Sequence, residues 1–248
     1  IYVCADDAHG TPIMLKADEL SMSPEELIEM IYKQHKSTFE DFNISHDNYH
    51  STHSNENKIL SERIYKALHA KGLIEKKVIN QLFDTSRNMF LSDRYVKGTC
   101  PNCGAEDQYG DNCEICSATY NAIDLKDPIS VLTGTEPIIK ESEHLFFKLS
   151  LLKDEINEWL DSSKIQEPVR NKLNEWLDAD LKDWDISRDG PYFGFKIPGY
   201  DDKYFYVWLD APIGYLASHL NYLIKQDCEK DFESFWSKDS VSEVFHFI

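Results

Sequence analysis

The sequence is poor in positive charge. Its 248 residues include 26 lysines and arginines against 44 aspartates and glutamates, which gives a formal net charge of −18. A surface this acidic repels polyanions at long range, so a broad nucleic-acid-binding face on this chain is excluded. Contact with RNA would need a local basic patch or another part of the protein.

Long hydrophobic runs are also missing. No apolar stretch approaches the roughly 20 residues that span a bilayer, and the first residues, IYVCADDAHG, lack the charged start of a signal peptide. We therefore expect no membrane partner and a cytoplasmic location. The chain lacks an initiator methionine, and both of its ends resemble strands that have been cut. These features predict a piece of a longer protein.

The sequence does contain enough apolar residues for a sizeable core, since hydrophobic types make up 42% of it. Strand and helix patterns alternate up to about residue 72, and short β-type runs follow. Two amphipathic helices come next, and then the strand–helix order returns. This order is typical of an α/β domain that is interrupted by an inserted domain.

Local signals place several element boundaries. Thr11 is predicted as a helix N-cap before Pro12, and Ser23 is predicted to form a capping box with Glu26. A helix before Gly72 is expected to end there. KYFYVWL predicts a strand, and DAPIGYLASHL predicts a helix that starts near residue 210. The two amphipathic helices are expected to have apolar faces made of Leu152, Ile156, Trp159 and Leu160, and of Val169, Leu173, Trp176 and Leu177.

Four of the six cysteines lie in the stretch TCPNCGAEDQYGDNCEICSAT, as two Cys-x-x-Cys pairs with nine residues between them. Two such turns can supply four thiolates to one tetrahedral Zn²⁺. A disulfide would need an oxidising compartment, and a redox pair would need to open a helix. We predict one structural zinc ion, although Ser117 occupies a position where glycine often follows such a pair. The predicted ligands are Cys100, Cys103, Cys113 and Cys116.

The stretch CADDAHG places Asp6, Asp7 and His9 between a predicted strand and a predicted helix. Ligands of open α/β sheets bind beyond the carboxyl ends of strands, and a carboxylate there could pair with a substrate ammonium group. The alternative is that the aspartates form Asx-turns and cap the helix. Position alone favours this alternative.

The stretch YVWLDAPIGY carries Trp208, Ala211, Pro212 and Tyr215 at a spacing that puts them on one side of a helix. Two aromatic rings around small residues could form an apolar slot that suits a thioether side chain. The alternative is an ordinary core face, and the pattern alone favours it.

Two further features are ambiguous. His46, His50 and His53 could all face one way on a helix, but their segment, residues 39–57, is rich in turn formers. We therefore expect a hydrogen-bonded polar connection rather than a second metal site. Arg188 follows a predicted helix and precedes a predicted strand, and by itself it could be a surface salt-bridge partner.

Six stretches taken together resemble the methionyl-tRNA synthetases, which are class I aminoacyl-tRNA synthetases. They keep the family's order along nearly the whole chain: ADDAHGTPIM, NYHSTHS, DRYVKGTCPNCG, YGDNCEIC, WDISRDGPYFGF and YVWLDAPIGY. The resemblance implies a partial Rossmann-type nucleotide-binding domain that is interrupted by a connective peptide with a zinc knuckle. The implied segments are residues 1–72 for the first Rossmann part, 73–187 for the insert and 188–248 for the second Rossmann part.

The resemblance also implies roles for single residues. Asp7 would hold the amino group of methionine, and Arg188 would assist methionine activation. The methionine pocket would be lined by Trp208, Ala211, Pro212 and Tyr215. The implied reaction joins L-methionine to ATP, which enters with Mg²⁺, to give methionyl-adenylate, and then transfers the aminoacyl group to tRNA(Met). The cysteines carry over as zinc ligands.

The departures from the family concern the phosphate chemistry. The HIGH-type motif, the KMSKS-type loop, the GKD run and the anticodon-binding helices are all missing from the sequence. We therefore expect the 248 residues alone to be inactive. Two alternatives stay open: a class I synthetase of the Val, Ile or Leu type, and a zinc-ribbon interaction module without catalysis.

Overall fold

The computed structural model describes residues 1–162, 165–178, 181–237, 239–240 and 242–246, and these form the expected mixed α/β fold. Within these ranges, each helix is too short or too polar to traverse a bilayer. The helices are α1 (Thr11–Leu20), α2 (Pro24–Asp41), α3 (Asn55–Ala70), α4 (Lys153–Ser162), α5 (Glu167–Asp178), α6 (Val207–Lys225) and α7 (Phe232–Phe235). The strands are β1 (Val3–Asp6), β2 (Asn48–Ser51), β3 (Ile74–Asp84), β4 (Met89–Phe90), β5 (Val96–Thr99), β6 (Gln108–Tyr109), β7 (Lys126–Ser130), β8 (Ile138–Phe147), β9 (Trp184–Asp185), β10 (Ser187–Asp189) and β11 (Lys203–Phe205).

The chain divides into two compact units. The first unit contains Ile1–Arg63, Phe193–Phe195 and Val207–Ile248, and the second contains Ile64–Tyr192 and Lys196–Tyr206. The three segments expected from the sequence, with boundaries after residues 72 and 187, stay a prediction.

A parallel pair of strands and one long helix form the centre of the first unit. β1 and β2 pair in register from Val3 opposite Asn48 onward. α6 packs on this pair, where the Ser218 hydroxyl donates to the Cys4 carbonyl at 2.9 Å and the Asn48 amide donates to the Ser218 carbonyl at 2.8 Å. Because parallel strands end at the same edge, the residues after β1 and β2 lie together beside the start of α6.

The two N-terminal helices begin in different ways. The predicted capping box of α2 is confirmed, with Ser23 and Glu26 bonding reciprocally. The prediction of Thr11 as N-cap of α1 is wrong, because Gly10 occupies that position and Thr11 is already helical. Gly10 has a φ of 102°, which favours glycine, and its N–H donates to the Phe193 carbonyl at 2.9 Å. Backbone geometry rather than a side chain therefore starts α1.

The histidine-rich segment is more ordered than the sequence predicts. Residues 39–57 were expected to form a polar connection, but α2 runs on to Asp41 and β2 lies in the middle of the segment. Tyr49 in β2 packs edge-on against Phe39 at 5.1 Å between ring centroids. The side chain of Asn48 is buried against α6. The bond of Asn48 to α6 and the pairing of β2 with β1 join this segment to distant residues, and local composition does not show these contacts.

The second unit contains three antiparallel sheets in the described residues, and this confirms the predicted short β segments. Their strand orders are β4-β3-β8-β9, β6-β5-β7 and β10-β11. β3 and β8 form the longest pair, from Ile74 opposite Phe147 to Phe83 opposite Ile138. The cysteine turns follow β5 and β6, so the small β6-β5-β7 sheet carries them.

Some boundaries near the end of the chain differ from the prediction. KYFYVWL forms a strand only as far as Phe205, because its antiparallel partner β10 begins at Ser187, opposite that residue. α6 begins at Val207 rather than near residue 210. The predicted apolar faces of α4 and α5 are only partly buried. Their tryptophans, Trp159 and Trp176, are 57% and 58% exposed.

Candidate functional site

The four cysteines of the two Cys-x-x-Cys turns come together as predicted. Their sulfur atoms all lie within 4.8 Å of one another, with Cys100 and Cys116 3.9 Å apart and Cys103 and Cys113 3.6 Å apart. A tetrahedron of Zn–S bonds of about 2.3 Å requires sulfur–sulfur distances of about 3.8 Å. The Asn102 amide donates to the sulfur atom of Cys116 at 3.5 Å. The cluster therefore fits a zinc ion.

The two turns of this cluster share one backbone geometry. The N–H of Gly104 donates to the Cys100 carbonyl at 3.1 Å, and the N–H of Ser117 donates to the Cys113 carbonyl at 2.9 Å. Gly104 has a φ of 76° and Ser117 a φ of 58°, so both are left-handed. The departure at Ser117 does not change the fold of the turn. Serine at this position has a Cβ, so it adopts the left-handed conformation at a higher conformational free energy than glycine would.

In the first unit, His9 and Asp210 form a buried hydrogen-bonded pair, although 201 residues separate them in the chain. His9 Nδ1 bonds to Asp210 Oδ2, and neither side chain is accessible to solvent. On the other side of the ring, His9 Nε2 lies 2.9 Å from His53 Nδ1. The Asn57 amide donates to the Asp210 carbonyl at 3.2 Å. The pair therefore ties the loop after β1 to the first turn of α6.

Asp7 lies in this loop, two residues before His9, and it is exposed. Its carboxylate has no hydrogen-bond or ion-pair partner among the residues that the structure describes. Desolvation by nearby protein atoms and then the charge of Asp210 raise the pKa of Asp7 to about 6, although His9 lowers it. At neutral pH the group is therefore ionised and can act as counter-charge for a cation. The helix-cap alternative is wrong for Asp7, because no side chain caps α1.

Asp6 has a different role from its neighbour. Its Oδ1 accepts hydrogen bonds from the Tyr49 hydroxyl and from His35 Nδ1, the latter at 2.8 Å. The carboxylate of Asp6 is thus used within the unit, whereas that of Asp7 is available to a ligand.

The residues Trp208, Ala211, Pro212 and Tyr215 lie along one side of α6, and we call them the α6 stripe. None of them is buried, and Trp208 is 66% exposed. The core face of α6 is formed instead by neighbours such as Leu209, Ile213 and Gly214. The core-face alternative for the stripe is therefore wrong. The use of the stripe as a methionine pocket stays a prediction.

Asp7 lies near the first turn of α6, where the α6 stripe begins. Asp210, whose charge acts on Asp7, lies in the first turn of α6, between Trp208 and Ala211. The sequence placed Asp7 and His9 among the candidates, but it did not reveal Asp210. The available signal was an acidic residue inside the apolar helix start VWLDAPIG. Nothing in the sequence pairs it with a residue 201 positions away.

The three histidines that suggested a second metal site have separate partners. His46 stacks on Tyr2 at 4.8 Å, and His50 Nε2 lies 3.3 Å from Glu56 Oε2. His53 bonds to His9. Across the described ranges, the knuckle cysteines are the only His, Cys, Asp or Glu group arranged to hold a metal ion.

Arg188 lies in the second unit, within β10, and not in a connection between a helix and a strand as predicted. Its guanidinium carbon lies 3.8 Å from the centroid of the Tyr206 ring. One of its NH groups is 3.4 Å from Asp185 Oδ2 and donates to the Ser187 carbonyl at 2.6 Å. Its side chain is only 17% exposed, so the surface salt-bridge alternative does not describe it.

The comparisons with known proteins agree with these features. The fold is similar to part of class I aminoacyl-tRNA synthetases. A family model described as "tRNA synthetases class I (M)" matches residues 1–248, and the chain therefore belongs to this family.

Solved structures of methionyl-tRNA synthetase from Mycobacterium tuberculosis have a similar fold. Two of them, described as bound by or in complex with methionyl-adenylate, have TM-scores of 0.65 and 0.63 at 20% sequence identity. Each match covers 96% of this chain and 42% of the other. An apo form has a TM-score of 0.53 at 20% identity and covers 87% of this chain and 38% of the other. The chain thus spans about two-fifths of the length of these enzymes.

Proposed function

We propose that the protein to which this chain belongs is a methionine-tRNA ligase. It would activate methionine with ATP to methionyl-adenylate and transfer the aminoacyl group to tRNA(Met). Membership of the class I family and the similarity in fold to enzymes that bind methionyl-adenylate support this proposal. Family membership also argues against the alternative of a zinc-ribbon module without catalysis.

The observation that carries the proposal is the pairing of an available carboxylate with an exposed apolar stripe at one end of α6. Asp7 has a pKa of about 6 and no partner among the described residues, so it can hold the ammonium group of an amino acid at neutral pH. The α6 stripe would contact the thioether side chain, because sulfur packs well against aromatic rings such as those of Trp208 and Tyr215. Charge and apolar surface together match the two ends of methionine.

The chemistry needs no nucleophile from the protein. The methionine carboxylate attacks the α-phosphate of ATP, and pyrophosphate leaves with the electron pair of the broken P–O bond. The terminal ribose hydroxyl of the tRNA then attacks the acyl carbon, and AMP leaves. Positioning and charge stabilisation supply most of the rate in such reactions. Asp7 would orient the ammonium group, and Arg188 would counter the negative charge that develops. ATP would enter with Mg²⁺ as substrate.

The zinc ion would be structural, with one ion per chain. The four cysteines would fill its tetrahedral coordination, so the metal would have no open position for a substrate. Its role would be to hold the turns that follow β5 and β6. Residues 73–187 would then form the connective peptide between the Rossmann parts at 1–72 and 188–248.

The test is the amino-acid dependence of ATP–pyrophosphate exchange by the intact, zinc-loaded protein. We expect methionine to support exchange, and leucine, isoleucine and valine to support it at least about 100-fold less efficiently. Exchange that prefers one of the branched amino acids would assign the protein to the Val, Ile or Leu type. A folded, zinc-loaded protein without exchange for any of the four would contradict the proposal.

A further inference from the structure

A buried histidine of the second unit lies between two aspartates. The side chain of His144, in β8, has no exposed surface. Its Nδ1 lies 2.7 Å from Asp185 Oδ2, and its Nε2 lies 3.0 Å from Asp189 Oδ2. Gln81 Oε1 is also 3.0 Å from Nε2. Both ring nitrogens therefore have partners, and four strands of the unit, β3, β8, β9 and β10, meet at this ring.

The hydrogen bonds favour the charged form of His144. Burial lowers the pKa of the imidazole, but the bonds to Asp185 and Asp189 outweigh burial and raise the pKa above its ordinary value. An imidazolium donates from both nitrogens, which suits two carboxylate acceptors. The ring is thus a cationic bridge between the two aspartates.

On one side the bridge ends at a lysine. Lys203 Nζ bonds to Asp189 Oδ1 and donates to the Ser142 hydroxyl at 2.9 Å. The Ser142 hydroxyl donates in turn to Asp189 Oδ2 at 2.8 Å. Asp189 is therefore held from several directions, and it provides a fixed anchor for His144.

On the other side the bridge reaches Arg188. The oxygen of Asp185 that bonds to His144 is also the one that pairs with Arg188, at 3.4 Å. The second oxygen of Asp185 accepts from the Ser187 N–H at 3.1 Å. With the Tyr206 ring beneath it and the Ser187 carbonyl beside it, the guanidinium has one defined position.

The position of Arg188 matters because the residue faces a cavity. Arg188 and Asp185 line a cavity of about 530 Å³ together with the polar side chains of Asn80, Gln81 and Asp93. A guanidinium at a cavity wall can bind an anionic group only if its donors point toward that group. Asp185, which bonds to His144, is one of the groups that hold the guanidinium at this wall.

We propose that His144 is a positioning residue for Arg188. Its ring bonds to Asp185 and fixes the position of that carboxylate. Asp185 in turn holds the guanidinium of Arg188 on the face of the Tyr206 ring. This inference rests on the proposed role of Arg188 in methionine activation. His144 itself is buried and does not touch substrate.

The test is a double-mutant cycle on the intact, zinc-loaded protein, measured by methionine-dependent ATP–pyrophosphate exchange. We expect Arg188→Ala to lower the rate constant of exchange about 100-fold, as the loss of a charge-stabilising donor does. We expect His144→Gln to lower it about tenfold through misplacement of the guanidinium, with the KM for methionine within about twofold of the original. In the Arg188→Ala background, His144→Gln should have an effect of no more than about twofold.

Two further variants separate positioning from general stability. Asp185→Asn removes the carboxylate that connects His144 to Arg188, and it should have the same effect as His144→Gln. If the histidine variant does not fold, Asp185→Asn still tests the inference. Asp183→Asn is the matched control. Asp183 pairs with Lys77 at 2.7 Å and with Ser150 at 2.6 Å, so its loss should leave exchange within about twofold.

The outcomes are distinct. A tenfold loss from His144→Gln that persists in the Arg188→Ala background would show a general structural role and overturn the inference. Unchanged exchange in a folded His144→Gln protein would overturn it as well. If Arg188→Ala leaves methionine-dependent exchange unchanged, the assignment of Arg188 fails and the inference fails with it, while the methionine-tRNA ligase assignment stands.

Discussion

The two candidate sites of the chain are built in opposite ways. In the zinc knuckle, the sulfur atoms of Cys100 and Cys116 meet across only 16 positions, and each turn is closed by its own backbone hydrogen bonds. In the first unit, His9 and Asp210 meet across 201 positions, and β1, which precedes His9, pairs with the distant strand β2. The knuckle is therefore encoded locally, whereas the candidate site of the first unit depends on the fold of its whole unit.

This difference changes what each site needs in order to persist. The knuckle cannot bury a large apolar core, and metal binding would supply its folding free energy. The His9–Asp210 pair is made by two protein side chains that are closed to solvent, so it depends on packing. Perturbing one site should leave the local structure of the other largely intact.

Loss of zinc should have the largest effect. Removing the metal with a chelator, or replacing Cys100 and Cys113 by serine, should unfold residues 73–150 first, because a structural zinc ion contributes on the order of 10–16 kcal/mol. Hydrogen exchange resolved by peptide would show protection lost there and kept in β1 and β2. Cys228→Ser is the control, since this thiol lies outside the cluster. Metal analysis that finds no zinc would contradict the prediction.

Asp7→Ala should weaken methionine binding in the intact protein by about 100-fold or more, because an ammonium group would lose a charged partner that contributes about 3 kcal/mol. Calorimetry would measure the affinity. Asp6→Asn is the matched control, because Tyr49 and His35 already engage that carboxylate. An Asp7→Ala affinity equal to that of the unchanged protein would remove Asp7 from the site.

The pH dependence of this binding has a definite sign. Desolvation and Asp210 raise the pKa of Asp7 to about 6, so the carboxylate is charged above this pH and neutral below it. Methionine affinity should therefore be constant near pH 7.5 and weaken by about tenfold per pH unit below 6. A flat profile between pH 5 and 7.5 would contradict the assignment.

Asp84→Ala should destabilise the second unit by about 1–3 kcal/mol. The buried carboxylate of Asp84 accepts from the N–H groups of Ser86 and Arg87, at 2.8 and 3.1 Å, and from the Thr133 hydroxyl at 2.6 Å. Chemical denaturation monitored by hydrogen exchange would measure the loss.

Acid should have the same effect as this substitution. Burial raises the pKa of Asp84, but the hydrogen bonds outweigh burial and lower it to about 2. Because the pKa is lower in the folded state, the carboxylate stabilises the fold at pH values above its ordinary pKa of about 3.9. This stability is lost as the pH falls toward 2. An Asp84→Ala protein that loses as much stability as the original between pH 5 and 2 would contradict this account.

Ser117→Gly should have the smallest effect, a gain of about 0.5–1 kcal/mol in the stability of the knuckle. The substitution relieves a left-handed residue with a φ of 58°. The measurement is the chelator concentration that removes half of the zinc. Ser117→Ala keeps the Cβ and should give no gain. Equal behaviour of the glycine and alanine variants would mean that backbone strain at this turn is negligible.

The sequence predicted the features that residues close together in the chain determine. The cysteine cluster, the capping box at Ser23 and the α/β class are all confirmed, because spacing and local chemistry determine them. The prediction failed where distant residues decide. β2 forms because Tyr49 and Asn48 contact other elements, and α1 begins at Gly10 because its backbone bonds to Phe193.

The candidate site of the first unit shows the same limit. Asp7 and the α6 stripe could be named from the sequence, since strand ends and helical spacing are local patterns. The partnership of His9 with Asp210 could not, because it exists only after the strand pair and α6 have packed together. Residue types were thus predictable, whereas the arrangement that fixes them was not.

Gly214 allows α6 to pack closely on the β1–β2 pair. A Cβ at this position would lie 2.7 Å from Thr52 Cγ2, so a larger residue requires Thr52 or α6 to shift. A shift of α6 would also displace Trp208 and Tyr215, because they lie on the same helix. If the α6 stripe lines a methionine pocket, as proposed, a substitution at Gly214 would change amino-acid selectivity without contacting the substrate, and a search for altered specificity should begin there.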